Sequence, residues 1–177
     1  MLTGEKVILR PISFEDWEKT VKWRNDLEIK TSTMSHPFPI TSEQEQEWYR
    51  GKLSSYDNRF LPFTIVSKEN GEVLGFMNLN DIDWVNRNCF IGGAIGEQEN
   101  FGKGYGKEAV KLLLDYAFGN LNLHKVYAYV LKNHPAIKTW YNLNAKLEGT
   151  LIEHSFQKGN YEDVCVVAWY PEKTEIR

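Results

Sequence analysis

Residues 94–118, AIGEQENFGKGYGKEAVKLLLDYAF, decide the fold, because they read as a strand end, a polar loop, a glycine cluster and a helix in immediate succession. Ala94 and Ile95 close the strand. Gly102-Lys103-Gly104-Tyr105-Gly106 then places three alternate glycines ahead of a helix predicted from Gly106 to Phe118. Without Cβ atoms the backbone there can turn tightly and approach a ligand, and the first helical N–H groups point outward with the positive end of the helix dipole behind them. Val110, Leu113, Leu114 and Phe118 share one side of that helix at helical spacing, away from Lys107, Lys111 and Asp115. One face belongs to the core, and the glycine end is a candidate pyrophosphate cradle. The plainer alternative is a glycine-rich turn that only starts a helix.

Two common phosphate loops fail against these residues. A Walker loop needs Ser or Thr directly after Gly-Lys, and Lys103 is followed by Gly104. A Rossmann fingerprint needs a first strand and G-x-G-x-x-G, whereas Gly102-x-Gly104-x-Gly106 is followed by Lys107. Phe101-Gly102-Lys103-Gly104-Tyr105-Gly106 instead resembles the acyl-CoA pyrophosphate loop of the GNAT family of N-acetyltransferases, Gln/Arg-x-x-Gly-x-Gly/Ala, at every position but the first. Phe101 stands where Gln or Arg is usual, so the backbone contacts are retained and the polar side chain is not.

A chain of 177 residues can bury one good core, and no linker-like stretch divides it, so one domain over residues 1–177 is expected. A formal charge of −3 gives no basic field for nucleic acid. Cys89 and Cys165 lie in apolar, strand-like runs, which fits two buried reduced thiols in a cytoplasmic protein better than a disulfide framework or a catalytic cysteine. Met1 to Lys6 carries no apolar signal segment, and no run reaches the roughly 20 apolar residues of a membrane span. A soluble, cytoplasmic protein with no membrane partner follows.

Lys6 to Pro11 alternates up to its proline and reads as the first strand. Ser13 and Asp16 form a capping-box start for a helix that carries Phe14, Trp17 and Val21 and ends at Trp23-Arg24-Asn25-Asp26. Leu27 to Ile40 holds no period and is expected to be a loop. Thr41 and Ser42 cap a second helix, Glu43 to about Leu53, whose Glu and Gln run reads as a solvated face. Phe60 to Ser67, Glu72 to Asp83 and Asn88 to Ile95 are three antiparallel strands joined at Asn70-Gly71 and at Trp84 to Arg87. Gly92-Gly93 interrupts the third, where a bulge is the usual cause, and a bulge would open a gap beside the next strand. Lys125 to Leu131 follows the glycine helix as a parallel neighbour. Asn133 caps a helix to about Leu143, and Lys146 to Phe156 with Tyr161 to Tyr170 closes the sheet as a hairpin.

This order is similar to the GNAT fold over nearly the whole chain. Leu121-Asn122-Leu123-His124-Lys125-Val126 resembles the stretch before the fifth strand in the ribosomal-protein and spermidine branches. Asn133-His134-Pro135-Ala136-Ile137-Lys138-Thr139-Trp140-Tyr141 and Leu147-Glu148-Gly149 resemble that group's Asn-x-x-Ala-Ile-x-x-Tyr run and later Glu-Gly. The resemblance implies an α/β (α+β) fold: a mixed, mainly antiparallel sheet of about seven strands with a splayed pair, flanked by about four helices. It implies acetyl-CoA as co-substrate, no metal, and an acetyl transfer to a primary amine; a homodimer is left open.

Carried onto this sequence, the resemblance implies that Ala94, Ile95 and Gly96 offer strand-edge backbone to the pantetheine arm. Phe101, Gly102, Lys103, Gly104, Tyr105 and Gly106 would hold the pyrophosphate, and Asn133 either reaches the cofactor, caps its helix, or does both. The family's acid is commonly a tyrosine on the last helix. Trp140 occupies that position as a packing residue, which leaves its neighbour Tyr141 as the candidate acid. Where several relatives carry a glutamate on the fourth strand, Phe90 stands. Asp81 and Asp83, on one side of their strand by two-residue spacing, are candidates for base or ammonium anchor, or else plain turn-flanking carboxylates. His36 is either a proton carrier or a solvated loop residue.

For the acceptor, Trp23-Arg24-Asn25 and His36-Pro37-Phe38-Pro39-Ile40-Thr41 with Trp48 resemble the nucleotide-aminosugar acetyltransferases. Arg24 would then pair a diphosphate, and Trp23 and Phe38 would stack on sugar or base, with His36 nearby. The competing acceptors are spermidine or another polyamine, for which Arg59-Phe60 and Glu43, Glu45 and Glu47 speak, and a ribosomal-protein N-terminus. A module that binds acetyl-CoA without transferring it is the other class, favoured by the departures at Phe90, Phe101 and Trp140.

Overall fold

The structure, a computed structural model, describes residues 1–35, 37–55 and 57–171. In chain order its elements are β1 (Leu2–Thr3), β2 (Val7–Pro11), α1 (Trp17–Asn25), α2 (Leu27–Thr33), α3 (Ser42–Ser54), β3 (Leu61–Ser67), β4 (Val73–Asp83), β5 (Asn88–Ile95), α4 (Tyr105–Gly119), β6 (Lys125–Leu131), α5 (Ala136–Tyr141), β7 (Lys146–Gln157) and β8 (Asn160–Trp169). The strands form one sheet in the order β1-β2-β3-β4-β5-β6-β8-β7. Every neighbouring pair is antiparallel except β5 and β6, the pair that the long α4 crossover joins.

One residue of each alternating pair enters the core. Val7, Leu9, Ile65, Met77, Leu79, Cys89, Ile91, Val126, Ala128, Cys165 and Val167 pack against Ala109, Val110, Leu113, Leu114 and Ala117 of α4. The opposite positions Phe90, Tyr127 and Tyr129 alternate with these buried residues and therefore lie on the other face. α1 contacts β4, and α2 contacts β5 and β6.

Four expectations drawn from the sequence are corrected by the structure. Leu27 to Thr33 is a helix, not a loop, because the Asp26 carboxylate accepts from the N–H groups of Glu28 at 2.8 Å and Ile29 at 3.1 Å and so supplies the cap. The register of β4 on β5 shifts between Asn80 and Asp83, not at Gly92-Gly93. The two glycines serve close approach instead: a Cβ on Gly93 would lie 2.4 Å from the Phe76 carbonyl oxygen. α5 begins only at Ala136 with Pro135 at its cap position, so Asn133 does not cap it. The His134 ring takes that part, its Nδ1 accepting from the Ala136 N–H at 3.1 Å.

The fourth correction concerns the acidic face of α3. Glu45 is 1% exposed; it accepts from the Arg24 guanidinium at 2.5 Å and the Thr20 hydroxyl at 2.7 Å. A second buried acid, Asp16, ties β2 and β3 to the start of α1. Arg10 grips it with two hydrogen bonds of 2.6 and 2.8 Å, and the Thr64 hydroxyl donates at 2.6 Å. Burial works against its charge, yet the bonds from Arg10, Thr64 and the Ser13 N–H outweigh it and hold its pKa below the ordinary carboxylate value.

Candidate active site

β5 and β6 pair only at Asn88↔Lys125, Cys89↔Val126 and Phe90↔Tyr127. Beyond Phe90 the two strands part, and β6 continues to Leu131 bonded to β8 on its far side. Among the described residues, the β6-facing backbone edge of β5 from Ile91 to Ile95 is thereby left without a strand partner, which is the geometry an extended ligand needs to add itself as a strand. Ala94 and Ile95 keep β4 on their other side, opposite Phe76 and Gly75, and the Gly96 N–H donates to the Leu74 carbonyl at 2.8 Å.

The glycine loop meets this edge. Gly102 at φ +74° and Gly104 at φ +89° take left-handed backbone that an L side chain rarely adopts, and Gly104 is the cap residue of α4, with no side chain closing the helix end. The first helical hydrogen bond runs from the Glu108 N–H to the Gly104 carbonyl at 3.0 Å. The N–H groups of Tyr105, Gly106 and Lys107 precede that bond and are donors for an anion. A Cβ on Gly102 would meet nothing within 4 Å, so the cradle is open. Beside it the Asn100 Nδ2 is buried without a partner among the described residues, while its Oδ1 accepts from Lys103 Nζ at 3.3 Å. Open strand edge, unfilled donors and glycine clearance fit a ligand that is extended at one end and phosphorylated at the other.

The remaining predicted residues fall in different places. Tyr141 ends α5 and is 41% exposed, while Trp140 turns onto Trp169 with ring centroids 5.7 Å apart. Asn133 is exposed in the turn ahead of α5. Phe101 is 51% exposed. Asp81 sits in the register shift between Asn80 and Asp83, at φ +50°. The Asp83 carboxylate folds back on its own turn, accepting from the N–H groups of Val85 at 2.9 Å and Asn86 at 2.8 Å, and the bond from the Asn86 backbone leads the causes that lower its pKa.

Trp23 is 2% exposed, and its indole lies where a Cβ on Gly96 would fall, within 1.9 Å. Its Nε1 donates to Glu97 at 2.8 Å, so the ring braces the end of β5 from behind and is not open to stack on an acceptor. Arg24 is bound to Glu45 and lies over the Trp48 ring at 5.9 Å. Phe38 is 66% exposed, its carbonyl holding the buried Lys30 ammonium at 2.8 Å. His36 lies outside the described residues.

Residues that local patterns pass over complete the site. Phe90, Tyr127 and Tyr129 form a ring cluster with centroid separations of 6.0, 5.7 and 5.9 Å, at the point where β5 and β6 separate. The Tyr127 phenol is held above its usual pKa by burial first and then by Tyr129 and the charge of Asp81. Its partners come from three strands, which is why no single run of sequence displays the cluster. Among the described residues no group of His, Cys, Asp and Glu side chains could hold a metal ion, and no helix is long and apolar enough to cross a membrane.

A family model described as "Acetyltransferase (GNAT) domain" matches residues 6–141, and the chain belongs to that family. It is 32% identical over 164 residues to an uncharacterized N-acetyltransferase, p20, of Bacillus licheniformis, covering 92% of each chain. It is 29% identical over 164 residues to the spermidine N(1)-acetyltransferase of Escherichia coli, covering 92% of this chain and 85% of that one. The solved spermidine N-acetyltransferase of Vibrio cholerae in complex with CoA and spermine superposes with a TM-score of 0.86 at 25% identity, covering 94% and 96% of the two chains. This chain is thus an acetyl-CoA-dependent N-acetyltransferase. The splayed strands and the glycine loop, described above on geometry alone, fit the two ends of that co-substrate.

Proposed function

We propose that the acceptor is a polyamine-like small-molecule amine, and that the carboxylate of Asp81 beside the Phe90, Tyr127 and Tyr129 rings is what selects it. An ammonium gains from a nearby carboxylate and from the negative faces of aromatic rings. A nucleotide-linked aminosugar would instead need a cation for its diphosphate. Arg24, the residue suited to that task by sequence, is already neutralised by Glu45. The similarity to spermidine acetyltransferases supports the same choice.

Acetyl-CoA supplies the activated thioester carbonyl. The chain's own residues then have three tasks. Asp81 draws in the ammonium and, through water, accepts the proton it must lose before attack. Asp83, committed to its turn, takes no part. Between the neighbours at the end of α5, Trp140 is packed on Trp169, and Tyr141 carries the exchangeable proton for the departing thiolate. Gly102 to Gly106, with Ala94, Ile95 and Gly96, hold the co-substrate in register.

Steady-state acetyl transfer to spermidine, spermine, an aminosugar nucleotide and a ribosomal-protein N-terminal peptide tests this reading. Polyamines should be the substrates turned over, and Asp81→Asn should raise their KM by about tenfold, the loss of one ammonium contact, and lower kcat as the proton acceptor is lost. Turnover confined to the aminosugar nucleotide would overturn the acceptor class. CoA release no faster than hydrolysis with every amine would point to a binding module.

A further inference from the structure

We infer that Lys6, immediately ahead of β2, is a ligand of the coenzyme A diphosphate, supplied to the glycine loop from a segment distant in sequence. The inference rests on the co-substrate seat described above. Lys6 Nζ donates to the Lys103 carbonyl at 3.0 Å, a contact across 97 residues of sequence. It lies 3.5 Å from the position a Cβ would take on Gly104, and no other non-neighbouring heavy atom among the described residues comes within 4 Å of that point. The ammonium is therefore stationed at the glycine that opens the cradle.

Its backbone is fixed there. The Lys6 N–H donates to both Glu108 carboxylate oxygens at 3.0 and 3.1 Å, the Glu5 N–H donates to the same carboxylate, and the Lys6 carbonyl accepts from the Lys68 N–H at 2.8 Å. Glu108 belongs to the first turn of α4, so the N-terminal strand is clipped to the helix whose N-terminus faces the ligand. The charge itself is uncommitted. Among the described residues no carboxylate pairs with the Lys6 ammonium, and a neutral carbonyl is a weaker partner than a phosphate oxygen.

Phe101 brings the loop no cation, and Lys103 turns its ammonium to Asn100. A short rotation of the Lys6 stem from the Lys103 carbonyl to a phosphate oxygen would supply the missing charge without moving the backbone.

Calorimetric titration of Lys6→Met with CoA, 3′-dephospho-CoA and pantetheine tests this, with thermal melting to check the fold. The Kd for CoA and for 3′-dephospho-CoA should each rise by about tenfold, pantetheine affinity should stay unchanged, and Lys6→Arg should restore binding. Unchanged CoA affinity in Lys6→Met alongside tight binding by the wild type would overturn the inference while leaving the seat intact. A penalty absent with 3′-dephospho-CoA would move the ammonium to the 3′-phosphate, and an equal penalty with pantetheine would make Lys6 only a loop tether; either result refutes the diphosphate assignment. In the unmutated protein, CoA should protect Lys6 from reductive methylation, and methylation unaffected by CoA would count against the contact.

Discussion

Replacing Gly104 by alanine isolates what the loop backbone contributes to co-substrate binding. At φ +89° the residue lies in the left-handed region, where a Cβ costs about 1–2 kcal/mol. Space is not the obstacle, since the nearest atom to the added Cβ is Lys6 Nζ at 3.5 Å. Gly159 offers a matched control: it has φ +90° in the turn between β7 and β8, and an added Cβ would meet nothing within 4 Å. Both alanine variants should lose about 1–2 kcal/mol of stability, a fall in Tm of about 2–8 °C for a chain of this size. They should differ toward coenzyme A. Gly104→Ala biases the loop away from the conformation that presents the Tyr105, Gly106 and Lys107 N–H groups and sets a methyl where phosphate must approach. Its Kd should rise by about tenfold or more, the equivalent of about 1.4 kcal/mol, while Gly159→Ala binds as the wild type does. Thermal melts and calorimetric titration read the two quantities separately. A lowered Tm with an unchanged CoA affinity in Gly104→Ala would refute the loop as the diphosphate seat.

Two further outcomes concern single side chains. Asp16 has its pKa lowered in the folded protein, so the stability it contributes is present above the unfolded value near 4 and fades as pH falls through the lower folded value. Asp16→Asn should therefore cost about 3 kcal/mol at pH 7 in urea melts, with the gap to wild type closing below about pH 4; a gap that stays constant down to pH 3 would refute the buried-pair account. Tyr141→Phe should slow kcat about tenfold with KM little changed, as expected for loss of a general acid, and an unaltered rate would remove Tyr141 from the mechanism.

Local pattern carries far in this chain wherever the cause is local. The glycine loop is legible because Gly102 and Gly104 must adopt positive φ and the α4 stripe of Val110, Leu113 and Leu114 repeats at helical spacing. The bounds of β5 and β6 follow from runs whose ends are marked by turns. The position of α2 was within reach of the same reasoning, because Asp26 is an N-cap residue directly ahead of Leu27; the lack of an apolar period there conceals it.

Pairings across the sheet are of another kind. Trp23 and Arg24 read as exposed stacking and anion-binding groups until Gly96, Glu97 and Glu45 are brought against them from residues far along the chain. The extra residue in β4 shows itself only through its register on β5, because a shift is a relation between two strands and leaves no mark in either alone. Lys6 over Gly104, and Phe90 against Tyr127 and Tyr129, have the same origin. Backbone preferences act over a few residues and are written in order along the chain. The charges and rings proposed to choose the acceptor and hold the phosphates meet through the sheet, so they are brought together by the packing of strands distant in sequence.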